Sequence, residues 1–293
     1  MKIFINPDAV ANQEDWPYMI EIACRVFRGY HIFDHQSFTD IEGSEWYHHI
    51  EKFFGRLSIE KMIMSAAWPS SIHNKKITVT HQSNNIHSNL TPDHAVIFVS
   101  KPLKILIENR NSDGIFLKAM IRTLADKALI DYCNLPESIT CDSPGGVGEL
   151  PKTIEAFAAQ SNLIPLRVIV MSDSDSEYIG DQKDHINKIK ATCNKHNIPY
   201  HVLTKRSIEN YIPDAIWIEW AKEPNMTKYK SKINDFLAHT TCERDYCNVK
   251  ELFGDECYKL LDTYAQSLTR ENLRDRDGHG ELEKLLQMIM DET

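Results

Sequence analysis

The middle of this chain predicts an α/β fold: a parallel sheet flanked by helices. Two observations carry the prediction. From about residue 95 onward, strand-like and helix-like segments alternate with short links. The strand-like runs, among them "KILIEN" and "LRVIVMSDSD", begin as nearly solid apolar stretches, as strands buried on both faces do.

The elements follow in order. "KIFIN" reads as a short strand. "EDWPYMIEIACRVFRGY" reads as a helix with Met19, Ile20, Ala23, Cys24 and Phe27 on one face and Pro17 in its first turn. "IEGSEWYHHIEKFFGRL" reads as a second helix, striped by Trp46, Ile50, Phe53 and Phe54. "KKITVTHQ" alternates as a strand, and residues 83 to 94 are polar and turn-forming. "AVIFVS", "KILIEN" and "ALIDYC" read as strands, and "SDGIFLKAMIRTLADK" as a helix capped by Ser112. "SPGGVGELPKTIEAFAAQ" is a glycine loop entering a helix. "LRVIVMSDSD" is a strand, "QKDHINKIKATCNKH" a helix and "PYHVLT" a strand. Four helical segments follow, from "IWIEWAK" to "ELEKLLQMIM". The expected organisation is therefore an α+β region over 1–97, an α/β domain over 98–213 and a helical region over 214–293.

Bulk properties narrow the function classes. The chain has 293 residues, 42% hydrophobic and 26% charged, as a packed globule requires. No apolar run approaches the ~18 residues of a membrane span, and the start "MKIFINPDAV" has no signal-peptide pattern. Seven cysteines without a paired framework read as reduced thiols, so a cytoplasmic setting is expected. A net charge of -9 argues against gripping nucleic acid through the overall field. It leaves room for an enzyme whose clustered acids are neutralised by divalent ions.

The acids stand where an α/β sheet places its chemistry, beyond the carboxyl ends of strands. Glu108 ends "KILIEN"; Asp173 and Asp175 end "RVIVMSDSD", with Glu177 close behind. In an extended segment Asp173 and Asp175 point the same way. An all-oxygen donor set of this kind suits Mg²⁺ or Mn²⁺.

A strand ending in glutamate, a later glycine turn and a strand ending in Asp-x-Asp resemble the Toprim domain over about residues 103 to 213. "KRSIENY" is similar to a segment of nuclease-type Toprim proteins, the OLD-like nucleases and the stand-alone effectors of bacterial anti-phage systems. The resemblance implies that Glu108 acts as acid/base or metal ligand and that Asp173 and Asp175 bind Mg²⁺ or Mn²⁺. Asp113, Glu177 and Glu209 are further metal candidates, and Lys205 or Arg206 would stabilise charge on the phosphate. Gly145 and Gly146 in "SPGGVGELP", with Arg110, are candidates for phosphate binding. The chain departs from the pattern in "ENRNSDG": Asn109 stands where the family has glycine, and Asp113 comes one residue late. The implied activity is metal-dependent hydrolysis of DNA or RNA phosphodiesters. The implied partners are the nucleic acid, an ABC-type ATPase sensor and a second copy of the chain. Two other readings fit part of the pattern: a partner-binding subunit with a degenerate Toprim site, and a nucleotide-sugar transferase that uses only the Asp-x-Asp pair.

Overall fold

Two four-stranded sheets, each wholly parallel, organise the computed structural model, which describes residues 1–67, 74–82, 89–160 and 164–293. The first contains β1 (Lys2–Ile5), β2 (Ile32–Phe33), β3 (Lys76–Val79) and β4 (Asn89–Leu90), in the order β2-β1-β3-β4. The N-terminal region is therefore α/β, with helices joining parallel strands, in place of the expected α+β arrangement. Its core gathers Ile3, Ile5, Met19, Phe33, Trp46 and Phe98. The helix Trp16–Phe27 buries Met19, Ile22, Ala23 and Val26. Its face is rotated from the expected one, and Phe27 stays 52% exposed. The expected second helix is the shorter Glu45–Phe54, with a further helix beginning at Arg56, and Phe53 of its stripe also faces out. Of the polar stretch 83 to 94, residues 83–88 lie outside the described residues.

The second sheet contains β5 (Leu103–Leu106), β6 (Ile139–Asp142), β7 (Val168–Ser172) and β8 (Tyr200–Val202), in the order β6-β5-β7-β8. Two expected strands are helices. "AVIFVS" lies in the helix Pro92–Ser100, which Pro92 opens from its first turn. Its Ala95, Phe98 and Val99, spaced by three and four residues, are buried in the first core. "ALIDYC" lies in the helix Lys127–Cys133, whose first turn is capped by the Asp126 carboxylate accepting from the Leu129 N–H. The strand that pairs with β5 is instead the half-buried "ITCD". Its mixed polarity follows from its position at the sheet edge.

Alternation along each strand divides the apolar side chains between two layers. Ile105, Ile107, Ile169 and Met171 pack with the helix Ser112–Leu124 and with Trp217, Phe236, Phe253 and Ile289 from the region after 213. Leu106, Val168 and Val170 pack with Ile154 of the helix Leu150–Gln160 and Ile186 and Ile189 of the helix Asp184–Lys195. The late helices thus share one core with the sheet. Among the described residues no helix is long and apolar enough to cross a membrane.

The strand order fixes where a site can open. The chain moves outward from β5 to β6, then crosses back past β5 to β7 and on to β8. The connections leave β5 and β7 in opposite directions, and a crevice forms at their carboxyl ends.

Candidate active site

The crevice between β5 and β7 is a cleft of about 610 Å³, and its walls include Glu108, Asp113, Asp173, Lys250, Arg110 and the Gly145–Gly146 turn. Glu108 lies two residues beyond β5. Asp173 follows β7 directly, and its backbone N–H donates to Glu108 Oε1 at 3.2 Å. The two strand ends are thereby tied together across 65 positions of sequence.

Asn109 organises the turn that follows Glu108. Its side-chain oxygen accepts from the N–H groups of Asn111 at 2.9 Å and Ser112 at 3.4 Å, starting the helix Ser112–Leu124 as an Asx turn. Ser112 is therefore the first residue of that helix and not its cap. Asp113 reaches back from the first turn, accepting from the Asn109 N–H at 3.0 Å and the Ser112 hydroxyl at 2.9 Å. Through this turn Asp113 lines the cleft.

The opposite wall comes from the loop after β6. The Ser143 hydroxyl donates to the Glu108 carbonyl, and its oxygen accepts from the Gly145 N–H. Gly145 and Gly146 have φ of +96° and +129°, conformations that side-chain-bearing residues rarely adopt.

Glu209 lies beside the cluster, near Lys250 and Asp173. It lies in the one-turn segment Ile208–Tyr211, held where the Asn210 side chain accepts from Ser207 and donates to the carbonyls of Arg244 and Cys247. Glu209 is fully buried, and neither of its carboxylate oxygens accepts a hydrogen bond. Among the described residues its close cation is Lys250, whose Nζ lies 3.5 Å from Glu209 Oε2 and 3.9 Å from Asp173 Oδ2. Asp173 also accepts from the Ile208 N–H at 3.1 Å, joining the β7 end to the same turn.

The electrostatics show a shortage of positive charge. The Glu108 carboxyl is pushed up to about 8 by burial, then by Asp175 and Asp113. Burial raises Asp113 as well, and burial with Asp113, Glu108 and Glu209 raises Asp173 well above the usual carboxylate range. Burial alone would lower Lys250, but Glu209, Asp173 and Asp113 outweigh it and raise the ammonium. One lysine facing this many carboxylates leaves a deficit that a divalent cation would relieve. The donor set is all carboxylate oxygen, as a hard ion prefers, and the unbonded Glu209 oxygens are free to ligate. By these tests the residues fit Mg²⁺ or Mn²⁺, although among the described residues no three His, Cys, Asp or Glu side chains form a ready-made ligand cluster.

Other expected residues stand elsewhere. The sheet strand stops at Ser172, and Asp175 takes a left-handed φ of +53°, so the extended alternation meant to align it with Asp173 is broken. Its Oδ2 lies 3.1 Å from His185 Nε2, at the edge of the cleft. Glu177 is exposed and pairs with Lys183 at 3.1 Å, outside the cleft. Lys205 is buried in an ion pair with Asp245 at 2.6 Å, shared with Arg276, and does not reach the cleft. The Arg206 guanidinium donates to the Tyr246 carbonyl and likewise points elsewhere. Lys250, which lines the cleft together with Arg110, sits in "NVKELF", a segment without a motif.

No family model, curated protein or solved structure matches this chain.

Proposed function

We propose that the protein is a divalent-metal-dependent, Toprim-type nuclease that hydrolyses phosphodiester bonds of DNA or RNA. The observation that carries this reading is the convergence of Glu108, Asp113, Asp173 and buried Glu209 at the crossover of a parallel sheet, facing a positive-φ glycine turn and Arg110. Asp173, Glu209 and Glu108 would hold Mg²⁺ or Mn²⁺, with Asp113 beside them and Asp175 at the rim. The bound ion would polarise a phosphoryl oxygen and acidify water.

The chain's own groups supply the rest. Glu108, where it is not itself a ligand, would exchange a proton with the attacking water or the leaving oxygen. Lys250 offsets charge that develops on the phosphate. Arg110 and the backbone of Gly145–Gly146 orient the phosphate group. In the organism the same reading makes the chain an anti-phage effector switched by an ATPase partner, an assignment supported by the sequence resemblance.

The test is incubation of purified protein with Mg²⁺ or Mn²⁺ and plasmid, linear DNA and total tRNA. Cleavage by the wild type is expected, with losses of roughly a hundredfold or more in Glu108→Ala and Asp173→Ala. Undiminished metal-dependent cleavage by both folded variants would overturn the assignment.

A further inference from the structure

A groove of about 520 Å³ opens beside the cleft and shares Arg110 with it; Gly114, Lys118, Glu256, Tyr258 and Lys259 are among its other walls. Its charge is opposite in sign to that of the chain. Arg110, Lys118 and Lys259 against Glu256 leave an excess of two positive charges, in a molecule with a net charge of -9. Lys259 pairs with Glu256, whereas Arg110 and Lys118 are exposed and make no ion pair among the described residues. Exposed, unneutralised cations at the mouth of an acidic cleft do not serve the fold, since surface charges of this kind add little to stability.

We infer that this groove carries the phosphates of a nucleic-acid strand running away from the cleft, so that the substrate is a polynucleotide and not a mononucleotide. The inference rests on the proposed function and adds a binding track to it. From Ser112 to Lys118 the helix rises about 9 Å, and Arg110 extends the basic track beyond its start, room for roughly two to three nucleotides of a stacked strand at about 3.4 Å of rise each. Half-buried Tyr258 places an aromatic ring among the cations, the combination that grooves for single strands use. A Cβ built on Gly114 would meet nothing within 4 Å, so the helix surface there is open to a backbone. An acidic peptide would match the charge but has no base to stack on Tyr258.

The experiment measures binding separately from cleavage. A fluorescein-labelled single strand of about 30 nucleotides with phosphorothioate linkages is titrated with protein in Mg²⁺ at several salt concentrations, and anisotropy is read. Lys118→Glu/Lys259→Glu is compared with Lys52→Glu/Lys61→Glu, which makes the same change in net charge on exposed positions of the N-terminal region. The groove variant is expected to bind at least about tenfold more weakly, with a salt slope shallower by roughly 1.4, and the control variant to bind as the wild type does. Equal weakening in both variants, or none in the groove variant, overturns the inference. So does displacement of the oligonucleotide by polyglutamate as readily as by unlabelled strand. Failure of the wild type to cleave any nucleic acid would count against the nuclease reading, while the groove is judged on binding alone.

Discussion

Glu281 is 96% removed from solvent, at 4% exposure, and its carboxylate contacts three side chains and one backbone N–H. His201 Nε2 lies 2.9 Å away, Thr204 donates from its N–H at 2.8 Å and its hydroxyl at 2.6 Å, and the Tyr211 hydroxyl donates as well. These contacts fix both ends of the segment that holds Glu209 beside Lys250. Burial would raise the Glu281 carboxyl, but the bonds from His201, Thr204 and Tyr211 outweigh it and hold the group below its usual value. The sign follows: a carboxyl depressed in the folded state contributes stability above its unfolded pKa, and that contribution is lost as pH falls through the folded value. Stability from this group should therefore persist at neutral pH and fade only in acid, below about 4.5, the ordinary value. Glu281→Ala is expected to cost about 2–4 kcal/mol at neutral pH, because it leaves buried donors without an acceptor, and to flatten the acid limb of the stability curve. Urea unfolding of both proteins from pH 3 to 7 checks this, and parallel curves would refute it.

At the scale of elements, the short helix Val249–Phe253 decides whether a cation reaches the carboxylates. Lys250 has the position it does because Phe253, one turn away, is locked among aromatic rings: Trp217 at 4.7 Å, Phe236 at 5.5 Å and Trp220 at 5.9 Å. Phe253→Ala is expected to cost about 3–5 kcal/mol and to loosen Lys250, lowering the proposed nucleic-acid cleavage beyond the loss of folded protein. Phe253→Leu, closer in volume, should cost under about 1.5 kcal/mol and keep most activity. Denaturant unfolding and the rate per folded molecule separate the two effects. The same helix shows where sequence reading stops. Glu108 and Asp173 were legible because solid apolar strands ended on them, and the glycine turn because its residue types demand positive φ. Lys250 was not, because its role depends on a contact between segments 77 residues apart, Asp173 and Lys250. Lys205 misled for the matching reason: a long-range pair with Asp245 takes its ammonium into the core. "AVIFVS" and "ALIDYC" misled because a short apolar run fits a buried helix as well as a buried strand.

For the whole molecule, the arrangement implies a folded state under internal repulsion. Acids outnumber bases by 42 to 33, and Glu108, Asp113, Asp173 and Glu209 gather around one ammonium. Such a site costs stability in the metal-free protein and regains it when a cation binds, since an ion that binds only the folded state stabilises by mass action. At about a hundredfold over Kd the gain is ~2.7 kcal/mol, and at roughly 2–4 °C per kcal/mol it raises Tm by about 5–10 °C. Asp173→Asn/Glu209→Gln removes two of the proposed ligands together with both ion-pair partners of Lys250. Whatever its Tm without metal, this variant should lose the Mg²⁺ or Mn²⁺ shift, because the ligands are gone. A general loss of packing would lower Tm in both conditions, and an unrelated ion site would preserve the shift. Thermal melts of both proteins in EDTA and in millimolar Mn²⁺ therefore discriminate, and an undiminished shift in the double variant would remove the carboxylate cluster as the metal site.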